Sequence, residues 1–285
     1  MLHFLWGAAT VALIYPSATT SRRLALKQRW SRQMLHILGI ELDATLSGIE
    51  PGSLIVANHI SWLDVFAINA ARPVAFVSKS EVRDWPLIGW LSARTDTVFL
   101  RRGSRGHARI VNAEIDALLN AGKDVAIFPE GTTTDGTHLL GFHAALLQPA
   151  VETGRPVQPV ALAYMTPDGQ RTLAPAYAGE TTMTDCLGAI LATRRMIVRL
   201  RPTEPLATTG ISRRDLARTA HDAIAFSPCF GIGRISMCLR SIFAKNRLSP
   251  STGRFVCSMA AVRAMISIRS ATIAPVVQTF CPLMK

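Results

Sequence analysis

From about residue 48 the apolar positions of the chain switch repeatedly between a period of two and a helical period. Residues 53–57 are a short run of strand formers behind Pro51-Gly52 and predict a buried strand. A helix is expected from Ser61 through Trp62, Val65, Phe66 and Ile68, then strands at 74–77 and 97–100. Residues 109–121 predict a helix closed by Gly122, and 124–128 a strand. A helix over 139–151, strands at 157–164 and 196–200, and a helix over 212–225 capped by Ser212 complete the pattern. Strands alternating with helices predict an α/β fold with a mixed, largely parallel sheet flanked by helices.

The first 47 residues differ. Residues 2–15 are nearly all apolar, and Arg22, Arg23, Lys27, Arg29 and Arg32 follow them. The run falls short of the roughly 20 apolar residues of a full membrane span, and its basic residues come after it, unlike a signal peptide. Over 22–40, Leu24, Leu26, Trp30, Met34, Leu35 and Leu38 recur at helical spacing with basic residues between them. Residues 1–47 are therefore expected to form a helical membrane-docking segment, with a helix packed on the core as the alternative. Residues 48–225 are the α/β domain. Residues 226–285 are an appendage: eight basic residues follow Asp222 and no Asp or Glu does.

The chain carries a formal net charge of +12 over 285 residues, which calls for an anionic partner. A nucleic-acid module is disfavoured, because the charge concentrates in the N-terminal helix and the tail and no zinc or RNA-binding signature occurs. The five cysteines form no C-x-x-C pair, which points to reduced thiols and no metal site.

The chemistry gathers in two stretches. Asn58-His59-Ile60-Ser61-Trp62-Leu63-Asp64 follows the first strand directly. Histidine is the natural base for an alcohol near neutral pH, and a carboxylate can hold its tautomer. Residues five apart align poorly on a helix, so the pair requires His59 in the turn and Asp64 in the first helical turn. Ser61-x-x-Asp64 is also a capping pattern, so Asp64 could instead serve backbone N–H groups. The second stretch, Phe128-Pro129-Glu130-Gly131-Thr132-Thr133-Thr134, also leaves a strand through an enforced turn. No G-x-S-x-G is present to support a serine hydrolase.

In that order, and about seventy residues apart, the two stretches resemble the 1-acyl-sn-glycerol-3-phosphate acyltransferase family. Phe99-Leu100-Arg101-Arg102-x-x-Arg105 and Gly154-Arg155-Pro156-Val157-Gln158-Pro159-Val160 resemble two further blocks of that family. The resemblance implies transfer of a fatty acyl group from acyl-CoA or acyl carrier protein to a lysophospholipid, chiefly 1-acyl-sn-glycerol 3-phosphate. His59 would be the base and Asp64 its partner, with no cofactor and no acyl-enzyme. Arg102 and Arg105, with Glu130, Gly131, Thr132 and Thr133, would bind the acceptor phosphate, and Pro159 would shape the acyl side. The implied setting is the cytoplasmic face of the inner membrane. Thr133 and His143 stand where many members carry a cation, which keeps another acceptor open, such as a lyso-ornithine lipid. The non-enzyme alternative is a lipid-binding protein on the same fold.

Overall fold

A computed structural model describes residues 2–101 and 105–230, all within one compact unit. In chain order the elements are α1 (Leu2–Leu13), α2 (Thr20–Ile37), β1 (Ile40–Ala44), β2 (Leu54–Ala57), α3 (Asp64–Ala71) and β3 (Ala75–Lys79). There follow α4 (Ile88–Ala93), β4 (Val98–Leu100), α5 (Arg105–Asn120), β5 (Val125–Ile127), α6 (Gln148–Thr153) and β6 (Val157–Met165). The last are α7 (Met183–Thr193), β7 (Met196–Pro202) and α8 (Arg213–Ala225).

The strands form one sheet in the order β1-β7-β6-β2-β5-β3-β4, parallel throughout except between β6 and β7. Every residue of β2 is buried, as expected of a parallel strand covered on both faces. One face carries α2, α3 and α7 over Ile55, Leu162, Tyr164 and Val198. The other carries α5, α6 and α8 over Leu54, Val56, Val125 and Ala161. β2 lies where the strand order reverses, with β5, β3 and β4 to one side and β6, β7 and β1 to the other. Such a point leaves a crevice beyond the C-terminal ends of the strands.

The N-terminal segment is built into this unit. Met34 and Leu35 of α2 are buried against α3, and Gln28 and Arg32 donate to the carbonyls of Ala71 and Ala70 at 3.0 and 2.8 Å. These side chains satisfy carbonyls at the C-terminal end of α3, which the helix itself cannot bond. Lys27 is buried, donates to Val74 O and Thr95 O, and is pushed by burial down to about 8. The apolar stripe of α2 thus faces protein, the alternative that the sequence had left open. β1, not expected from the sequence, pairs with β7 and lies within the 47 residues read as membrane-docking. α1 rests on α2 through Gly7, where a Cβ would come 2.8 Å from Trp30 Nε1. Its opposite side shows Leu2, Leu5, Trp6 and Leu13 to solvent. No helix among the described residues is long and apolar enough to cross a membrane. The appendage beyond residue 230 lies outside the described residues.

One expected helix is mostly absent. In place of a helix over 139–151 the chain runs irregularly to His143, makes a 3-10 turn at Ala144–Leu147, and only then enters α6. The reason is that its N–H groups have other partners. Leu140 N donates to the Glu130 carboxylate and His143 N to Pro129 O, both at 2.9 Å.

Candidate active site

β2 ends at Ala57, and Asn58 fastens the turn that follows. Its side-chain amide donates to Leu162 O at 2.9 Å and its carbonyl accepts from Leu162 N at 2.8 Å. His59 comes next, its ring stacked on Phe128 with centroids 4.0 Å apart and planes 7° from parallel. Phe128 leaves β5, the neighbouring strand, so the two motif loops meet through these rings.

Asp64 opens α3 and is fully buried. Its Oδ2 lies 2.8 Å from His59 Nδ1 and also accepts from Ile60 N at 2.7 Å and Ser61 N at 2.9 Å. Oδ1 accepts from the Tyr164 hydroxyl at 2.7 Å. The two sequence readings of Asp64, as turn cap and as histidine partner, are therefore met by one carboxylate. Four donors compensate the burial of its charge. Burial first, and the Asp64 charge second, hold the Tyr164 phenol well above its ordinary range, so it remains a donor. A carboxylate at Nδ1 selects the tautomer with the proton there and leaves a lone pair on Nε2. The histidine side chain is 21% exposed, so the site can be reached from solvent.

Glu130 is 3% exposed, and both its oxygens are taken by backbone. Oε1 accepts from His59 N at 2.8 Å and Oε2 from Leu140 N at 2.9 Å. Burial pushes its carboxyl above the usual range, against the pull of those two N–H groups. Glu130 thus holds the histidine loop and is not placed as a ligand for substrate. A turn closes from Gly131 N to Phe128 O at 3.0 Å, with Gly131 at a φ of 71° that favours glycine. Thr134 N donates to His59 O at 2.8 Å, and the Thr133 hydroxyl donates to Tyr177 O. Thr132 is exposed.

Not every residue expected at the site is brought there. Pro159 pairs with Val56 inside the sheet, buried and below the C-terminal edge, so it does not face the crevice. Arg102 lies outside the described residues. Arg105 begins α5, beyond the edge strand β4, and its side chain is outside the description. A groove of about 590 Å³ beside β4 includes Glu81, Arg83, Phe99, Arg101 and His107 in its lining, but none of His59, Asp64 or Glu130. Among the described residues no cluster of His, Cys, Asp or Glu is placed to hold a metal ion. Tyr164 was missed by sequence reasoning. Its signal was a tyrosine near the end of an otherwise apolar buried strand, where a phenol needs a partner.

The family model described as Acyltransferase matches residues 41–163, a span that contains both loops. The lyso-ornithine lipid O-acyltransferase of Pseudomonas aeruginosa is 40% identical over 203 residues, covering 70% of this chain and 78% of that protein. The 1-acyl-sn-glycerol-3-phosphate acyltransferase of Neisseria meningitidis serogroup B is 37% identical over 163 residues, covering 57% of this chain and 64% of that protein. Among solved structures, the 1-acyl-sn-glycerophosphate acyltransferase PlsC of Thermotoga maritima shares the fold. Its TM-score is 0.53 at 20% identity, over 87% of this chain and 95% of that one.

Proposed function

The chain belongs to the 1-acyl-sn-glycerol-3-phosphate acyltransferase family of O-acyltransferases, and on that premise we propose that it acylates the free hydroxyl of a lysolipid by direct attack on a thioester. The observation that carries this reading is the His59–Asp64 pair, with Nδ1 committed to a buried carboxylate and the ring held between two strand exits. His59 Nε2 takes the proton of the acceptor hydroxyl as its oxygen bonds to the thioester carbonyl carbon. The carbon–sulfur bond then breaks, and the leaving thiolate receives the proton from the imidazolium. Asp64 stabilises that imidazolium and fixes the ring orientation. The donor is a fatty acyl thioester of coenzyme A or acyl carrier protein.

For the acceptor we favour a lyso-ornithine lipid over 1-acyl-sn-glycerol 3-phosphate. Neither Thr133 nor His143 offers a fixed cation for a phosphate, and the Thr133 hydroxyl is spent on Tyr177 O. The Pseudomonas relative, which shares the longer stretch with this chain, acts by its name on that lipid. Arg102 and Arg105 are the guanidinium groups proposed for the acceptor's anionic group, carboxylate or phosphate. The exposed apolar side of α1, with Arg22, Arg23 and Arg29 exposed on α2, supports docking at the cytoplasmic surface of a membrane.

The test follows thiol release by purified full chain from acyl-CoA or acyl carrier protein thioesters, with either lysolipid added. Acceptor-dependent release that disappears in His59→Ala is expected. Release only with 1-acyl-sn-glycerol 3-phosphate would change the acceptor and keep the mechanism. No release with any lysolipid from folded protein would leave a lipid-binding protein on the same fold.

A further inference from the structure

α7 shows solvent a surface that a water-facing helix should not have. Only Cys186 and Ile190 turn into the core. Met183, Leu187 and Leu191, spaced i, i+4 and i+8, are 37%, 36% and 56% exposed, and Gly188, Ala189 and Ala192 are exposed beside them. Asp185 is the helix's one charged residue, and it is engaged with Thr182 in a capping box. An amphipathic surface helix carries polar residues on this side. The rest of the sheet face on which α7 lies is covered by α2 and α3, with Phe4 of α1 packed at the same core.

The C-terminal ends of α7 and α2 abut. Met196 N donates to Gly39 O at 3.1 Å, and a Cβ on Gly39 would lie 2.2 Å from Arg194 O. That end of the helix layer presents Ile37, 59% exposed, with Arg194 and Arg195 also exposed. The acidic residues, Glu180 and Asp185, stand at the opposite end of α7. At its start the helix is tied to the active site: Cys186 Sγ donates to Pro175 O at 3.5 Å, and Tyr177 N donates to Ile60 O at 2.9 Å. The Thr133 hydroxyl bonds the same residue, at Tyr177 O.

We propose that α7 is a membrane-contacting element separate from α1, its Met183–Leu187–Leu191 row seated in the interface of an anionic bilayer. The inference rests on the lipid-acceptor reading given above. Three side chains fall far short of the area of about 800 Å² per partner that a standard protein interface buries, whereas a bilayer needs only their insertion. The charge layout sets the tilt: Arg194 and Arg195 meet anionic headgroups, and the C-terminal half of α7 sits deeper. A lysolipid leaving that bilayer enters beside the segment that bonds Ile60 and Thr133, next to His59.

The experiment uses full-length protein and vesicles of phosphatidylglycerol and phosphatidylethanolamine. Leu187→Glu/Leu191→Glu should weaken vesicle co-sedimentation, and turnover of vesicle-embedded acceptor, by about tenfold. Turnover of a short-chain, water-soluble lysolipid and thioester should be retained, which also reports folding. Leu191→Glu alone should cost more than Met183→Glu. Ile110→Glu on α5, 57% exposed on the other side of the sheet, should behave as wild type. Equal binding by the double variant and wild type overturns the proposal. Leu191→Trp gives a readout that needs no loss of function, its emission shifting to the blue on vesicle addition. Emission that is blue before vesicles are added overturns the proposal in favour of cover by the chain itself. A dimer that the double variant abolishes overturns it in favour of a second copy. If even wild type fails to turn over soluble substrates, the acyl-transfer reading falls, while sedimentation and emission still decide the role of α7.

Discussion

Asp64 and Glu130 are buried carboxylates at the exits of neighbouring parallel strands, 0% and 3% exposed, and they hold different kinds of partner. Asp64 grips a ring nitrogen, a phenol and two backbone N–H groups, and the ring it grips is open to solvent. Glu130 grips only backbone, one N–H from each of two loops. Asp64 is therefore bonded to a group that can change charge, whereas Glu130 bonds only peptide N–H groups, which do not titrate, and meets the charge of His59 through space alone. Depth of burial does not separate an electrostatic partner from a scaffold. The titratability of what the carboxylate touches does.

The largest expected effect tests the first half of that contrast. His59→Ala should lower kcat by about a thousandfold or more, with the fold intact by circular dichroism. Asp64→Asn keeps an acceptor for Ile60 and Ser61 yet cannot stabilise an imidazolium, so a loss of about 10²- to 10⁴-fold is expected. Thiol release at saturating substrate measures both. An Asp64→Asn enzyme with near wild-type turnover would collapse the distinction and make both carboxylates scaffolds.

Glu130→Gln probes the second half. A glutamine has one acceptor oxygen where two N–H groups wait, so one loop loses its hold at a cost of about 1–3 kcal/mol in denaturant unfolding. Turnover should fall by about ten- to a hundredfold through the displaced histidine, with the limbs of the pH–rate profile moved less than the loss of turnover would suggest. A large shift of a limb with turnover nearly kept would mean that Glu130 acts chiefly through the charge of His59 and not as a clamp.

Tyr164→Phe removes one of the four donors to Asp64. The carboxylate's charge then bears more fully on His59, which favours the imidazolium, so the acid limb of kcat/KM should move to higher pH. A loss of stability without movement of that limb would reduce Tyr164 to core packing.

The smallest effect is the pH dependence of stability due to Glu130. Its folded-state carboxyl lies above the ordinary value of 4.5, so the folded protein binds its proton more readily than the unfolded chain does. Stability from this group is present below the ordinary value and is lost as pH rises through the folded value. Glu130→Gln should flatten that decline in thermal melts just above pH 4.5. An unchanged slope would mean that the two backbone donors cancel the cost of burial.

Six of the seven strands and both motif loops were legible because periodicity and turn residues are local signals. The His59–Asp64 pair was legible too, since only five residues separate its members. The hold of Glu130 was not, because it depends on Leu140, inside a stretch whose apolar spacing reads as helix. Misreading that helix and missing that clamp are one error: a tertiary acceptor claimed an N–H that helix propensity would have used. Tyr164 was hidden because sequence order does not reveal that β6 lies beside β2. β1 was absorbed into the preceding amphipathic run, although Gly39, with a φ of 70°, marked where that helix stops. α7 carried a visible start, Thr182-x-x-Asp185, and went unread because its exposed side has no polar alternation.

The bonds from Asn58 to Leu162 and from Tyr164 to Asp64 reach across 104 and 100 residues. His59 and Asp64 therefore leave the ribosome well before the strand that braces them. Until β6 is synthesised, one edge of β2 lacks its neighbour, and the Asp64 carboxylate lacks a donor. Such long-range parallel pairings are slow to close, and an unpaired apolar strand is a hazard for association while it waits. The turn that carries His59 is thus completed only once β6 is in place, and a truncation that removes β6 should yield a chain that aggregates.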